Sequence, residues 1–162
     1  MSAIPTVVNL RHHLETHQHA PGGLASLAVR ANVPRRAMSR ILAGQPINAD
    51  TYLKVCGAVG IDPVTGESCP PSTGFDIQWR IFAIGIRAAR ILHKLSTRDA
   101  ASLIRVSSAT ISRAEAGRPI RVESYLALCA FVGTHPHHYA NGFTGNYQCN
   151  NLKTIAVVEA AE

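Results

Sequence analysis

Two short stretches of this sequence place mainly polar side chains at the same spacing. In each, a pair of adjacent positions recurs four residues later, so on a helix all four positions would share one face. The stretches carry Arg35, Arg36, Ser39 and Arg40, and Ser108, Ala109, Ser112 and Arg113. Guanidinium and hydroxyl groups so arranged can donate to phosphates or to the acceptor edges of bases. The alternative is an ordinary solvent-exposed helix surface.

The two stretches lie 73 residues apart within a longer internal repeat. Residues 28–63 match residues 101–136 without a gap at fourteen of thirty-six positions. Average composition would give only about two or three matches by chance. The matches include Ser39/Ser112, Arg40/Arg113, Gly44/Gly117, Pro46/Pro119, Tyr52/Tyr125, Cys56/Cys129, Gly60/Gly133 and Pro63/Pro136. The repeat therefore predicts two copies of one folded unit.

The repeat divides the chain into a first domain at residues 1–63, a linker at 64–76, a second domain at 77–136 and a tail at 137–162. The linker is rich in Gly, Pro, Ser and Thr, which predicts no regular element. Strand-like sequence is scarce except for "LKTIAVVE" in the tail. We therefore expect an all-α fold of two tandem four- to five-helix domains. A short β-strand is one possible structure for the tail.

Helical periodicity is clearest in the second copy. Its first predicted helix has apolar residues at Ile81, Ile84, Ala88, Ile91, Leu92 and Leu95. The second helix has Ser96 or Thr97 as its N-cap, and the third begins after the cap Ser107 and ends before Gly117. A fourth helix ends at Gly133. The first copy repeats this layout from about Val7.

In each copy only a few residues separate the second and third predicted helices, which indicates a helix-turn-helix. Small Ala28 and Ala101 would let the third helix cross closely over the second. Val33, Val106, Met38 and Ile111 would pack behind it. The polar face is then directed outward, with its N-terminal half clear of the domain, which suits the major groove of DNA.

The second copy resembles the Cro/C1-type helix-turn-helix family, also called the XRE family, over almost its whole length. The resemblance is carried by Arg87, Ser96-Thr97, Ala100-Ala101, Val106-Ser107, Thr110-Ile111-Ser112-Arg113, Glu115, Gly117 and Pro119. The first copy resembles the family more weakly, with Leu42 where the family has Glu and Leu24 where a polar residue opens helix 2. The resemblance implies a compact helical bundle that binds double-stranded DNA, usually as a dimer on a two-fold operator.

By position, the resemblance implies recognition helices near 35–43 and 108–116. Thr97 would contact a phosphate, Arg113 would read guanine, and Arg118 and Arg121 would contact the DNA backbone. Glu115 is expected to be structural. The expected DNA-binding residues are Arg35, Arg36, Ser39, Arg40, Thr97, Ser107, Ser108, Ala109, Thr110, Ser112, Arg113, Arg118 and Arg121.

With two units in one chain, either both copies or only one of them could bind DNA. Both could read DNA as a covalent pseudo-dimer, since a linker of thirteen residues, when extended, reaches the roughly 34 Å between half-sites. Alternatively, one copy reads DNA and the other dimerises the chain or binds a partner. The apolar tail "LKTIAVVEA" could also pair with a second chain, which gives a homodimer through the C-terminal region.

Charge and composition limit the other classes of function. The net charge is +6, with +3 on residues 1–63 and +6 on 79–136, as expected of two basic surfaces that meet a polyanion. The longest apolar stretch is broken by three arginines, so no membrane span is expected. The N-terminus has no leader pattern, and the four scattered cysteines fit reduced thiols, so a cytoplasmic location is expected.

Metal binding and catalysis are not expected. The eight histidines lack the cysteine spacing of a zinc finger and form no H-E-x-x-H motif. The ten acidic residues form no paired catalytic carboxylates, and the sequence has no G-x-S-x-G motif or phosphate loop. The tail of about twenty-six residues is too short for a metabolite-sensing domain. No cofactor or small-molecule ligand is therefore expected.

These features predict a sequence-specific transcriptional regulator, more in the manner of a repressor or autoregulator than an activator. The rival interpretation is a protein-interaction module of the antiactivator or antitoxin type. Such a module would reuse the helix-turn-helix fold to bind a protein partner. Strong salt dependence of DNA binding would distinguish the first interpretation from the second.

Overall fold

The computed structural model of the chain describes residues 7–19, 21–73 and 75–140. In this part the chain forms α-helices, one 3₁₀ helix and isolated backbone bridges, with no extended sheet, which confirms the all-α class. None of these helices is both long enough and apolar enough to cross a bilayer. The elements are α1 (Val7–His17), α2 (Gly23–Arg30), α3 (Arg35–Leu42), α4 (Ala49–Val59), α5 (Trp79–Leu92), α6 (Thr97–Ile104), α7 (Ser108–Glu115), α8 (Val122–Val132) and the 3₁₀ helix Pro136–Tyr139.

Serine caps define where two helices of the second copy begin. The Ser96 hydroxyl accepts from the Asp99 N–H at 3.1 Å, and the Asp99 carboxylate accepts from the Ser96 N–H at 3.2 Å, so a capping box starts α6. The Ser107 hydroxyl accepts from the Thr110 N–H at 3.1 Å and caps α7 as predicted. Ser96 is thus the N-cap that the sequence left undecided, and Thr97 is the first helical residue.

Both copies end their fourth helix in the same way. Gly60 follows α4 with φ of 81°, and Gly133 follows α8 with φ of 74°, a left-handed conformation that glycine adopts readily. Tyr52 and Tyr125 then donate their buried hydroxyls to the carbonyl of the proline eleven residues later, at 2.9 and 2.7 Å. The repeated sequence positions therefore have repeated structures.

The buried side chains of the two copies form one continuous core. Met38 and Ile111 are fully buried, and Ala28 and Ala101 are nearly so, as predicted for the crossing between the second and third helices of each copy. Val33 and Val106 pack against this core while remaining partly exposed. The third helix of each copy thus has one apolar side held against its own domain.

A pseudo-two-fold axis relates the two copies. Asn48 and Arg121 are equivalent in the repeat, and they pair with each other in an antiparallel bridge. The residue after Asn48 donates its N–H to the carbonyl before Arg121 at 3.2 Å. The residue after Arg121 donates to the carbonyl before Asn48, also at 3.2 Å. The two hydrogen bonds join equivalent residues, and the donor lies in the first copy in one bond and in the second copy in the other. This is the pattern of an isologous dimer interface, here within one chain. Helices α4 and α8 pack together at this interface.

The described residues of the segment between the copies form no helix, as expected, but they are packed rather than extended. The Cys69 and Ser72 N–H groups donate to the carbonyls of Gly60 and Gly57 at 2.8 and 2.9 Å. Phe75 is fully buried, so this segment contributes to the core. The distance that an extended linker could reach therefore does not govern how the copies are arranged.

Helix α5 forms where predicted, but its periodic apolar residues face solvent. Ile84 and Leu92 are 69% and 78% exposed, while α5 buries Phe82, Ala83 and Ile86 instead. Helical periodicity does not determine which side of α5 is buried, because two sides of this helix are apolar. Burial of Phe82 is favoured because its ring packs against two tyrosine rings of the second copy.

The start of the predicted tail, residues 137–140, belongs to the folded unit. Tyr139 and Ala140 are buried, and Ala140 pairs with Ile77 just before α5. The predicted strand at "LKTIAVVE" lies outside the described residues.

Candidate nucleic-acid interface

Helices α3 and α7 each separate an apolar side from a polar side. Met38 and Ile41 in α3, and Ile111 and Ala114 in α7, are buried. The predicted outward positions are all exposed: Arg35, Arg36, Ser39, Arg40, Ser108, Ala109, Ser112 and Arg113. The predicted orientation of both helices is therefore confirmed. Whether these faces bind DNA is still a prediction.

The two arginines that the repeat aligns make the same contact. Nη2 of Arg40 donates to the Pro46 carbonyl at 2.6 Å, and Nη2 of Arg113 donates to the Pro119 carbonyl at 3.4 Å. Each bond turns the guanidinium toward the loop that leads to the pseudo-two-fold axis. A guanidinium has five N–H donors, so one such bond leaves others for a ligand. Sequence reasoning missed this positioning, because it depends on how the loop returns past the helix.

Other expected contact residues have structural roles as well. The Ser107 hydroxyl accepts a hydrogen bond from the Thr110 N–H and lies 2.8 Å from the Thr110 hydroxyl. Ser107 therefore fixes the start of α7, and Thr110 is half-buried beneath the exposed face. Thr97 is half-buried in the first turn of α6, where the helix dipole favours an anion. These residues lie at the ends and edge of the exposed face rather than at its centre.

Arg118 and Arg121 follow α7 and are both exposed. Arg121 lies on the pseudo-two-fold axis opposite Asn48. It therefore brings positive charge to the point where the two copies meet. In the first copy, a shallow groove runs beside α3 from Pro34 toward this point, and Arg36 and Arg40 line it. The basic surfaces of the two copies thus approach each other at the axis.

An ion pair holds α7 in the second copy. Nε and Nη2 of Arg90 donate to the two carboxylate oxygens of Glu115 at 2.6 and 3.1 Å, and Nη1 donates to the Leu95 carbonyl at 3.0 Å. The side chains of Arg90 and Glu115 are only 16% and 15% exposed. The structural role expected of Glu115 is confirmed. The first copy has Leu42 at this position, so it cannot form the same pair.

The cysteines and histidines of the described part of the chain lie in structural surroundings. Burial raises the pKa of the Cys56 and Cys129 thiols, which keeps them protonated at neutral pH. No group of three His, Cys, Asp or Glu residues there is arranged to hold a metal ion. His135 instead bonds to Asp62 of the other copy at 3.1 Å.

No family model, characterised protein or solved structure matches this chain. Its function must therefore be inferred from the residues and their geometry.

Proposed function

We propose that this chain is a sequence-specific double-stranded DNA-binding protein of the helix-turn-helix class, in which α3 and α7 are the recognition helices. One observation carries the proposal. Two exposed polar faces with basic side chains occur on equivalent helices, and a pseudo-two-fold axis relates the copies that carry them. In each, a buried apolar side holds the helix so that the polar side is offered to a ligand.

The axis indicates how two such faces would meet one duplex. The two strands of B-DNA are themselves related by local two-fold axes, and paired recognition helices read half-sites about one helical turn apart. Helices α3 and α7 each end six residues before the Asn48–Arg121 bridge at the interface. Only a few residues therefore separate each of these helices from the axis, and the axis relates one helix to the other. A single chain would then read an inverted repeat, although its two copies run in tandem along the sequence.

The two faces differ in chemistry, so the two half-sites should differ in sequence. The α3 face presents Arg35, Arg36 and Arg40, which suit phosphates or guanines. The α7 face presents Arg113 beside small side chains. Ala109 contributes only a methyl group, which suits a thymine methyl, whereas Arg113 can bind the N7 and O6 atoms of guanine. We expect α7 to supply most of the base discrimination and α3 most of the electrostatic attraction.

A transcriptional regulator of the repressor or autoregulator type fits this arrangement. A protein that covers an operator needs only to bind it, and the described part of the chain consists almost entirely of the two binding units. Double-stranded DNA would be the principal partner, in the cytoplasm.

The test is selection of bound duplexes from random DNA, followed by titration of the best duplex at about 50 and about 200 mM salt. The expected product is an imperfect inverted repeat of about twenty base pairs, bound by one chain. Affinity for it should fall steeply with salt, because each neutralised phosphate releases counterions.

A direct repeat, or a site of about ten base pairs, would exclude joint reading by both copies while keeping DNA binding. If no selected duplex binds better than random DNA, the protein is not a sequence-specific regulator. The protein-interaction class would then replace it.

A further inference from the structure

One side of α5 presents a row of large aliphatic side chains to solvent. Ile81, Ile84, Ile91 and Leu92 are 50%, 69%, 59% and 78% exposed. Ala88 is exposed between them. The spacing puts all five on one side of the helix. Isolated exposed aliphatic residues are common on proteins, but a contiguous row along three turns usually marks a contact surface.

In the equivalent helix of the first copy, the side chains that the structure describes, from Leu10 onward, form no such row. The exposed ones among them on α1 are Arg11, His12, Glu15 and Thr16. The shared fold therefore does not require an apolar outer side on its first helix. The positions of the first copy aligned with Ile84, Ile91 and Leu92 carry polar residues, so this part of the row on α5 needs an explanation within the second copy.

The chain leaves the described region beside this row. Ala140 pairs with Ile77, and the Tyr139 carbonyl accepts from the Gln78 N–H at 2.7 Å, just before α5 begins. The Tyr139 hydroxyl lies against Gly85, where a Cβ atom would be only 2.7 Å from it. By helical rotation, Gly85 adjoins the side of α5 that carries Ile81 and Leu92. Whatever follows Ala140 therefore starts at the edge of the row.

The sequence that follows has matching chemistry. Its last part, "LKTIAVVEAAE", combines four large aliphatic residues and Lys153 with an acidic end that carries Glu159 and Glu162. Along the other edge of the row lie Arg80 and Arg87, both exposed, and α5 contains no acidic residue. The eleven residues 141–151 span up to about 36 Å when extended, whereas the row is about 16 Å long. The tail can therefore reach every part of the row.

We propose that residues 152–158 of the chain dock on the outward side of its own α5, with Ile81, Ile84, Ile91 and Leu92 as the apolar contact. The acidic end of the tail then lies near Arg80 and Arg87. Antiparallel pairing of α5 with α5 of a second copy would instead bring the arginine-bearing edges of the two helices together, and repulsion between like charges disfavours that occupant. The proposal is independent of DNA binding.

The native Cys149 lies three residues before Leu152 and provides a probe. We would introduce Ile84→Cys in a Cys69→Ser background and follow disulfide formation with Cys149 under mild oxidation. His12→Cys in the same background is the matched control, since His12 is exposed on α1. Docking predicts an intrachain disulfide for Ile84→Cys that forms at least about tenfold faster than in the control, because docking raises the local thiol concentration.

Trypsin cleavage after Lys153 gives a second readout that needs no engineered thiol. In the native chain docking should slow this cleavage. An Ile84→Asp/Ile91→Asp variant should speed it by about tenfold, and His12→Asp should leave it unchanged. Two results would overturn the proposal. One is an equal rate of disulfide formation for Ile84→Cys and His12→Cys, and the other is an equal rate of trypsin cleavage in the native chain and the Ile84→Asp/Ile91→Asp variant. An interchain disulfide between two α5 positions would assign the surface to a second copy instead.

Discussion

Asp62 and His135 occupy the same position in the two copies of the repeat, and they bond to each other. Oδ2 of Asp62 lies 3.1 Å from Nε2 of His135, and the two side chains are 7% and 12% exposed. Equivalent residues can meet only at the axis that exchanges their copies, so this pair and the Asn48–Arg121 bridge mark the same axis. Two aspartates would repel each other there. The difference between the copies at this position therefore stabilises their interface.

Asp62→Asn should weaken that interface. Burial alone raises the pKa of the Asp62 carboxyl, but the hydrogen bonds from His135 and from the N–H groups of Thr65 and Val64 outweigh it and lower the pKa to about 2. The variant should lose about 1–3 kcal/mol of unfolding free energy at neutral pH, measured by urea denaturation. Asp76→Asn is the control, because its ion pair with Lys54 is largely exposed at Asp76 and should contribute less than about 1 kcal/mol.

The same carboxylate should add to acid sensitivity. Because the folded pKa of Asp62 lies below the unfolded value of about 3.9, its contribution is complete above pH of about 4 and disappears as pH falls toward 2. In Asp62→Asn this part of the acid denaturation curve should flatten. A stability profile as steep as that of the native chain between pH of about 4 and 2 would contradict the assignment.

His137 should make the fold less stable at mildly acidic pH. Burial and the nearby His135 lower the pKa of His137 to about 4, with Asp62 acting weakly in the opposite direction. The unfolded chain binds a proton at about pH 6.5, so stability should decrease as pH falls from 6.5 to 4, by on the order of 3 kcal/mol. His137→Phe retains a ring to stack on Phe75 and should flatten this profile, measured by thermal unfolding against pH. His138→Phe, an exposed neighbour, should not.

Gly57→Ala should show whether the segment between the copies is part of the folded unit. A Cβ atom at Gly57 would overlap the Phe75 ring and lie 2.9 Å from the Ser72 carbonyl oxygen. We expect a loss of about 1–3 kcal/mol of unfolding free energy from overpacking. The second copy already has Ala130 here, and Ala130→Gly should cost only about 0.5–1 kcal/mol. A neutral Gly57→Ala substitution would mean that residues 72–75 do not pack on α4.

Arg113→Ala and Arg40→Ala should separate the roles of the two faces on a selected operator. Arg113→Ala should cost about 1–3 kcal/mol of binding and relax the sequence preference of one half-site. Arg40→Ala should do so on the other half-site if α3 reads bases, but should weaken all duplexes equally if it contacts only phosphate. Competition binding with half-sites permuted one base at a time measures both outcomes. Arg11→Ala, on the exposed side of α1, should change neither.

Local features were predictable where they depend on residues within about four positions of each other. The Ser107 cap, the helix ends at Gly117 and Gly133, and the outward direction of Ser112 and Arg113 follow from capping and helical periodicity. On α5 periodicity predicted the helix correctly but did not determine which side is buried. Two of its sides are apolar, and contacts with aromatic rings elsewhere in the second copy decide which one is buried.

The sequence by itself determined that there are two related units, which residues form their helices, and which side chains of α3 and α7 are exposed. The tertiary structure alone decided that the copies face each other across a two-fold axis instead of following one another in tandem. It also decided that Asp62 meets His135, that Arg90 holds Glu115, and that Phe75 is buried. The physical reason is separation along the chain. Capping and periodicity act within one helix, whereas the Arg90–Glu115 and Asp62–His135 contacts join residues 25 and 73 positions apart. Only the packed chain brings such residues within bonding distance.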